Sequence, residues 1–127
     1  MGVVVRAKIQ TVEDIYRLVR KAVAGRQAIS AVYDTHARLL CPHRLGRNRA
    51  GHARVLCYQC GGESSSRLEP SGSPANWRCM ALEKFSRVEL VEDIWRTAPN
   101  HSRPQTCIVD VDVDAEDYPE CTPQKGQ

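Results

Sequence analysis

Val55 to Gly62 reads VLCYQCGG, and the fold turns on what this stretch is. Cys57 and Cys60 have the spacing of a metal knuckle or a redox dithiol, yet the residues around them alternate as in a β-strand. Two thiolates that share a zinc ion converge on it at about 2.3 Å from each sulfur, so the chain between them has to turn. In a strand, side chains three apart point to opposite faces. Val55, Cys57 and Gln59 then share one face and Leu56, Tyr58 and Cys60 the other, while Gly61 and Gly62 come after the second thiol instead of between the two. A thioredoxin-like site needs its CxxC at a helix N-terminus, and no helix is expected here. The stretch is read as a strand whose thiols pack as small apolar groups. Cys79 with His43 or His52 offers the one conceivable completion of a zinc site, and structural zinc is not expected.

The surrounding 127 residues are 42% hydrophobic and 26% charged, enough for one globular domain with its own core. Met1 to Gln10 contains a short valine run but then Arg6 and Lys8, with no long apolar region or small-residue cleavage site. Arg6 also stands where a myristoylation signal needs Ser or Thr. No run approaches the roughly 18 apolar residues of a membrane span. A soluble, cytoplasmic protein without a membrane partner is expected, with its six cysteines reduced.

The net charge of +3 conceals an asymmetry, because six of the fifteen acidic residues lie in the last 19 positions. Residues 1–108 carry 17 basic and 9 acidic side chains, a net of +8. From Thr35 to Gly62 there are Arg38, Arg44, Arg47, Arg49 and Arg54, with His36, His43 and His52, and no carboxylate. Such a block suits a phosphate-bearing partner.

Thr11 followed by Asp14 forms a capping signal, and Ile15, Leu18, Val19, Ala22 and Val23 then keep helical period, which predicts an amphipathic helix over 11–24 closed by Gly25. Beyond it the period falls to two. Strands are expected at 28–33, 38–42, 53–59, 77–82, 85–91 and 106–113, with 61–76 as a long flexible hairpin loop. Together they predict a mainly β single domain: an N-terminal helix, a small strongly bent barrel of five to six strands over about 27–113, and a flexible acidic tail over about 114–127. Asp110, Asp112 and Asp114 resemble the start of a calcium loop. Ala115 replaces its turn glycine and Cys121 its bidentate glutamate, so alternating Val and Asp reads instead as a strand with one buried and one acidic face, able to neutralise part of the basic block. There is no phosphate loop, HExxH or GxSxG motif, and His36 and His43 near Cys41 lack an orienting third residue. No enzymatic activity, cofactor or metal is expected.

From Leu18 to Asp93 the order of pieces resembles a WYL domain, a small SH3-like or Sm-like barrel of bacterial transcriptional regulators and phage-defence-associated proteins. The similar pieces are AISAVY (28–33), LLCPHRLG (39–46), GHARVLCYQ (51–59) and WRCMALEKFSRV (77–88), within a span of about 60% of the chain. The namesake Trp-Tyr-Leu positions fall on Ala53, Arg54 and Val55, so the triplet itself is replaced. The resemblance implies a non-enzymatic sensing module that binds a nucleotide or a single-stranded nucleic acid on a basic face. Arg38, Arg44, Arg54, Arg78 and Lys84 are the candidate phosphate ligands, since guanidinium forks match phosphate oxygens, and Tyr58 and Trp77 are candidate stacking surfaces. Only one helix precedes the first strand, too little for a helix-turn-helix. The alternative is an interaction or dimerisation subunit of a bacterial transcriptional or phage-defence regulator that uses the helix stripe to pair chains. A metal-dependent enzyme would require Cys57, Cys60 and Cys79, or the aspartate run, to bind an ion.

Overall fold

A computed structural model describes residues 10–62, 77–92, 94, 95 and 107–117. The order is α1 (Val12–Gly25), β1 (Ala28–Tyr33), β2 (His36–Arg47), β3 (Ala53–Gly62), β4 (Trp77–Ala81), a 3-10 turn at Leu82–Lys84, β5 (Phe85–Val91), β6 (Asp110–Asp114) and a second 3-10 turn at Ala115–Asp117. The helix starts as its sequence dictates. Thr11 Oγ1 accepts from the Asp14 amide and the Asp14 carboxylate accepts from the Thr11 amide, so two of the otherwise unpaired first-turn donors are satisfied. Its end differs from expectation: Gly25 is still helical, and Arg26 takes the left-handed conformation at φ 50°. Arg26 closes the helix through amide bonds to the Ala22 and Val23 carbonyls, and its guanidinium donates to the Ala115 carbonyl, so tertiary contacts hold a conformation that glycine would adopt more readily.

The strands form one antiparallel sheet in the order β4-β3-β2-β1-β5, with β6 added to β2. β2 is the longest at 12 residues, where the sequence suggested five. The expected strand ends at Pro42 and the turn formers begin at Gly46, yet both residues lie inside β2. On the edge away from β3, β2 pairs with β1 as far as Leu40 and with β6 from Arg44 onward, and Pro42 falls in the gap, where no amide hydrogen is needed. Gly46 lies where β6 crosses closely. A Cβ there would overlap the Asp110 carbonyl oxygen and lie 2.9 Å from both Ile108 Cγ2 and the Val111 Cα.

Bulges give the sheet its curvature, because each inserts an unpaired residue and increases local twist. His43 is the extra residue of β2 between the pairs Pro42↔Cys57 and Arg44↔Leu56, and Cys60 is the extra residue of β3 between Leu40↔Gln59 and Leu39↔Gly61. In β6 the extra residue is Asp112. That bulge breaks the expected alternation, leaving Val111 exposed and Asp114 buried at the end of the strand. Asp114 and Ala115 thus belong to the packed fold and not to a tail. The sheet is bent but not closed by strand pairing: β4 and β5 are joined by the 3-10 turn without pairing, and the Ala81 amide donates to Tyr33 Oη between them. β3 runs to Gly62, so the expected loop loses its first two residues, and 63–76 lie outside the described residues. The final strand begins at Asp110 and not at 106.

The inner sheet face and the helix stripe make one core of Ile15, Val19, Ala22 and Val23 with Ile29, Leu40, Leu45, Val55, Cys57, Met80, Leu82, Phe85 and Val88. Leu18 is only half-buried and packs at its margin. A second, smaller cluster covers the other face, built on Ala28, Cys41 and Tyr58 with Cys60, Trp77, Val91 and Trp95 against them. No helix among the described residues is long and apolar enough to cross a membrane. Ile15→Ala is expected to cost about 2–5 kcal/mol in chemical denaturation, and Leu18→Ala clearly less, because only the first leaves a fully enclosed cavity. Gly46→Ala is expected to lower the melting temperature by detaching β6, which would appear as faster amide exchange at Val111 and Val113 with β3 amides unchanged.

Candidate anion site at the polar end of the inner face

Strand register decides where each candidate side chain goes. On β3 the inner residues are Val55 and Cys57 and then Gln59, so the face ends in a polar side chain. Leu40 pairs with Gln59 and Ala31 with Arg38, which puts Arg38 on the same inner face, and Cys57 pairs with Arg78, which puts Arg78 there too. Arg38, only 7% exposed, donates from Nη1 to Gln59 Oε1 at 3.2 Å, and its guanidinium lies 5.1 Å from the centre of the Tyr33 ring. Its buried Nε has no hydrogen-bond partner among the described residues. Gln59 in turn donates from Nε2 to the Gly61 carbonyl, which fixes the amide that Arg38 uses.

Arg78 donates from Nη1 to the Trp77 carbonyl at 3.3 Å. Burial, and then the charge of Arg38, hold its pKa below that of an ordinary arginine. Two like charges thus sit at one end of the inner face, and an anion between them would offset their repulsion.

The remaining candidates lie elsewhere. Arg44 forms an ion pair with Asp114, Nε to Oδ2 at 2.7 Å, both side chains largely enclosed, so its charge is committed within the fold. Arg54 projects to the outer face and donates to the Ala53 carbonyl and, at 3.3 Å, to Glu83. Tyr58 is fully buried in the outer cluster, edge-on to Trp77 with ring centres 5.1 Å apart, and offers no stacking face to a ligand. Trp77 is half-buried against Tyr58 and His43. Lys84 is exposed on the 3-10 turn, where its carbonyl accepts from the Asp34 amide. Arg38 and Arg78 are therefore brought together, and the other five are not: alternation along β3 and β4 sends neighbours in sequence to opposite faces.

The same alternation separates Cys57, fully buried in the inner core, from Cys60 on the other face. Burial, then the neighbouring Cys60, push the Cys57 thiol up in pKa. Among the described residues no group of three or more Cys, His, Asp or Glu side chains could hold a metal ion. The expectation of reduced cysteines fails at one pair. Cys79, exposed on β4, is disulfide-bonded to Cys107, 28 residues on. Cys79 stands on β4 and Cys107 three residues before β6, strands that do not pair with each other, so sequence order conceals their meeting.

Sequence reasoning missed Tyr33 and Gln59, although Gln59 as the one polar member of an otherwise apolar strand face was visible. It also missed Trp95, which donates from Nε1 to the Pro42 carbonyl and stacks on His43 at 4.0 Å between ring centres. Comparison with models of protein families, with curated proteins and with solved structures finds no match to this chain.

The acidic residues of β6 draw other cations inward. Asp112, pushed out by its bulge, accepts from Tyr16 Oη and from Arg20 on α1. Burial first, then the bond to Asp112 and its charge, raise the Tyr16 pKa from 10.0 to about 12. Because the folded value exceeds the unfolded one, this contribution to stability is complete below pH 10 and is lost as pH rises towards 12. Ultraviolet titration is expected to show one of the four tyrosines ionising near pH 12. Asp112→Asn should bring it part of the way back to 10, leaving the share due to burial.

Proposed function

We propose that this chain is a non-enzymatic, WYL-like sensing module that binds a phosphate-containing ligand, a nucleotide or a single-stranded nucleic acid. The binding elements are the Arg38 and Arg78 guanidiniums at the polar end of the inner sheet face. The observation that carries the reading is their convergence: two cations at one end of a partly desolvated face, where, among the described residues, no carboxylate bonds Arg38 and its buried Nε has no hydrogen-bond partner. A phosphate oxygen pair matches the side-on fork of a guanidinium and would relieve the mutual repulsion. Gln59 and the Tyr33 ring orient Arg38 for that role. The helix followed by six short antiparallel strands supports the SH3-like or Sm-like affiliation, and the replaced triplet at 53–55 moves the ligand contacts from aromatic stacking to charge.

An interaction subunit that pairs chains through the helix stripe is the weaker reading, since Ile15, Val19, Ala22 and Val23 are consumed by the chain's own core. The test is a salt titration of binding to single-stranded oligonucleotides and to mononucleotides. Arg78→Met keeps the length and apolar stem of the side chain and is expected to stay folded, which a melting curve checks. The same change should weaken binding about ten- to a hundredfold, the roughly 1.5–3 kcal/mol of a charged hydrogen bond. With an oligonucleotide the log-log salt slope should also flatten by about 0.7 for the lost phosphate contact. If Arg78→Met binds every nucleotide and oligonucleotide as tightly as the parent, the site is elsewhere.

A further inference from the structure

The Cys57–Cys60 spacing suggests a vicinal dithiol, but the fold pairs Cys60 with a different partner. Cys60 is the extra residue of the β3 bulge, and the bulge swings its side chain along the outer face towards β2. There its Sγ lies 3.4 Å from Cys41 Sγ, the closest approach of two thiols short of a bond. The S–H of Cys60 also points to the Leu39 carbonyl at 3.6 Å, and that of Cys41 to the Ile94 carbonyl at 4.0 Å. Cys41 is buried and Cys60 half-exposed, so the pair has one thiol within reach of solvent and one behind it.

We propose that Cys41 and Cys60 form a redox modification site, a dithiol that exchanges with small-molecule disulfides such as oxidised glutathione, and that Cys57 takes no part. The Cys60 thiolate attacks one sulfur of the glutathione disulfide. That S–S bond breaks, and the first glutathione departs as a thiolate that takes up the proton Cys60 has lost. Cys41 then attacks the Cys60 sulfur of the mixed disulfide, the second glutathione leaves, and it takes up the Cys41 proton. Two cysteine thiols have become one disulfide, and their two electrons have reduced the glutathione disulfide to two thiols. Closing the gap to the bonded distance of about 2.05 Å asks for a movement on the order of 1.4 Å, which a bulge residue outside the regular ladder can supply.

Cys57 is excluded by position: it is fully buried on the other face, with the strand backbone between it and Cys60. The fold also contains a reporter. Both tryptophans of the chain, Trp77 and Trp95, pack in the cluster that holds Cys41 and Cys60, so bond formation there should alter their emission.

The experiment uses the full chain carrying Cys121→Ser, which removes the one cysteine outside the described residues, in glutathione buffers of increasing oxidised fraction. Expected are the loss of two hydrogen masses, a cross-linked peptide pair containing Cys41 and Cys60, a parallel change in tryptophan emission, and reversal by reduced glutathione. After denaturation Cys57 should still be alkylated. Cys57→Ser should oxidise as the parent does, and Cys60→Ser should show neither mass loss nor emission change. A stable glutathione adduct on Cys60 that never resolves, a disulfide containing Cys57, or three unreacted thiols at every buffer ratio would each overturn the proposal.

Discussion

Everything in this fold hangs on β2, which has three partners and only two edges. One edge is given wholly to β3. The other is divided between β1 and β6, and the division works because β2 turns at His43 and carries Pro42, a residue with no amide hydrogen, where neither neighbour is present to accept one. The Trp95 indole then occupies the Pro42 carbonyl, so the exposed step in the ladder is covered from the outer side. From that bend follow the curl of the sheet around α1, the approach of β6 to Gly46, and the existence of a second apolar cluster on the outer face.

The bend also sorts the arginines. On the β6 side of β2, Arg44 meets Asp114 and becomes part of the packing, while Arg47 donates to the Gly51 carbonyl and lies over the Tyr16 ring. On the β1 side Arg38 faces Arg78 across the end of β3, with the neutral Gln59 and Tyr33 as its partners among the described residues. The basic block of residues 35–62 is thus divided between the two ends of β2. In the proposed reading, holding two like charges close together costs the empty protein some stability, which a bound anion would offset.

Local features were legible where the governing interactions are local. The period of Ile15 to Val23, the Thr11–Asp14 cap and the alternation of Val55 to Gln59 each follow from residues within a few positions of one another, and helix, strand and the opposed faces of Cys57 and Cys60 appear as expected. The bulges at His43, Cys60 and Asp112 were not legible, because an inserted residue is defined by its partner strand and not by its own neighbours. For the same reason the continuation of β2 beyond Pro42 through Gly46, the capping role of Arg26 and the meeting of Cys79 with Cys107 were hidden. Of the candidate site, the residue types were visible in the sequence. Which two of the seven converge was not, since that depends on the β4-β3-β2 register.

The contact between α1 and β6 joins the first described element to the last described strand, with Tyr16 and Asp112 separated by 96 positions. On a ribosome adding about 5–20 residues each second, the helix waits on the order of ten seconds before Asp112 emerges to receive Tyr16 and Arg20. Throughout that interval the stripe of Ile15, Val19 and Val23 has only the growing β1–β5 sheet to shelter it. The nascent chain is therefore most exposed to unwanted association while its last strand is still unmade.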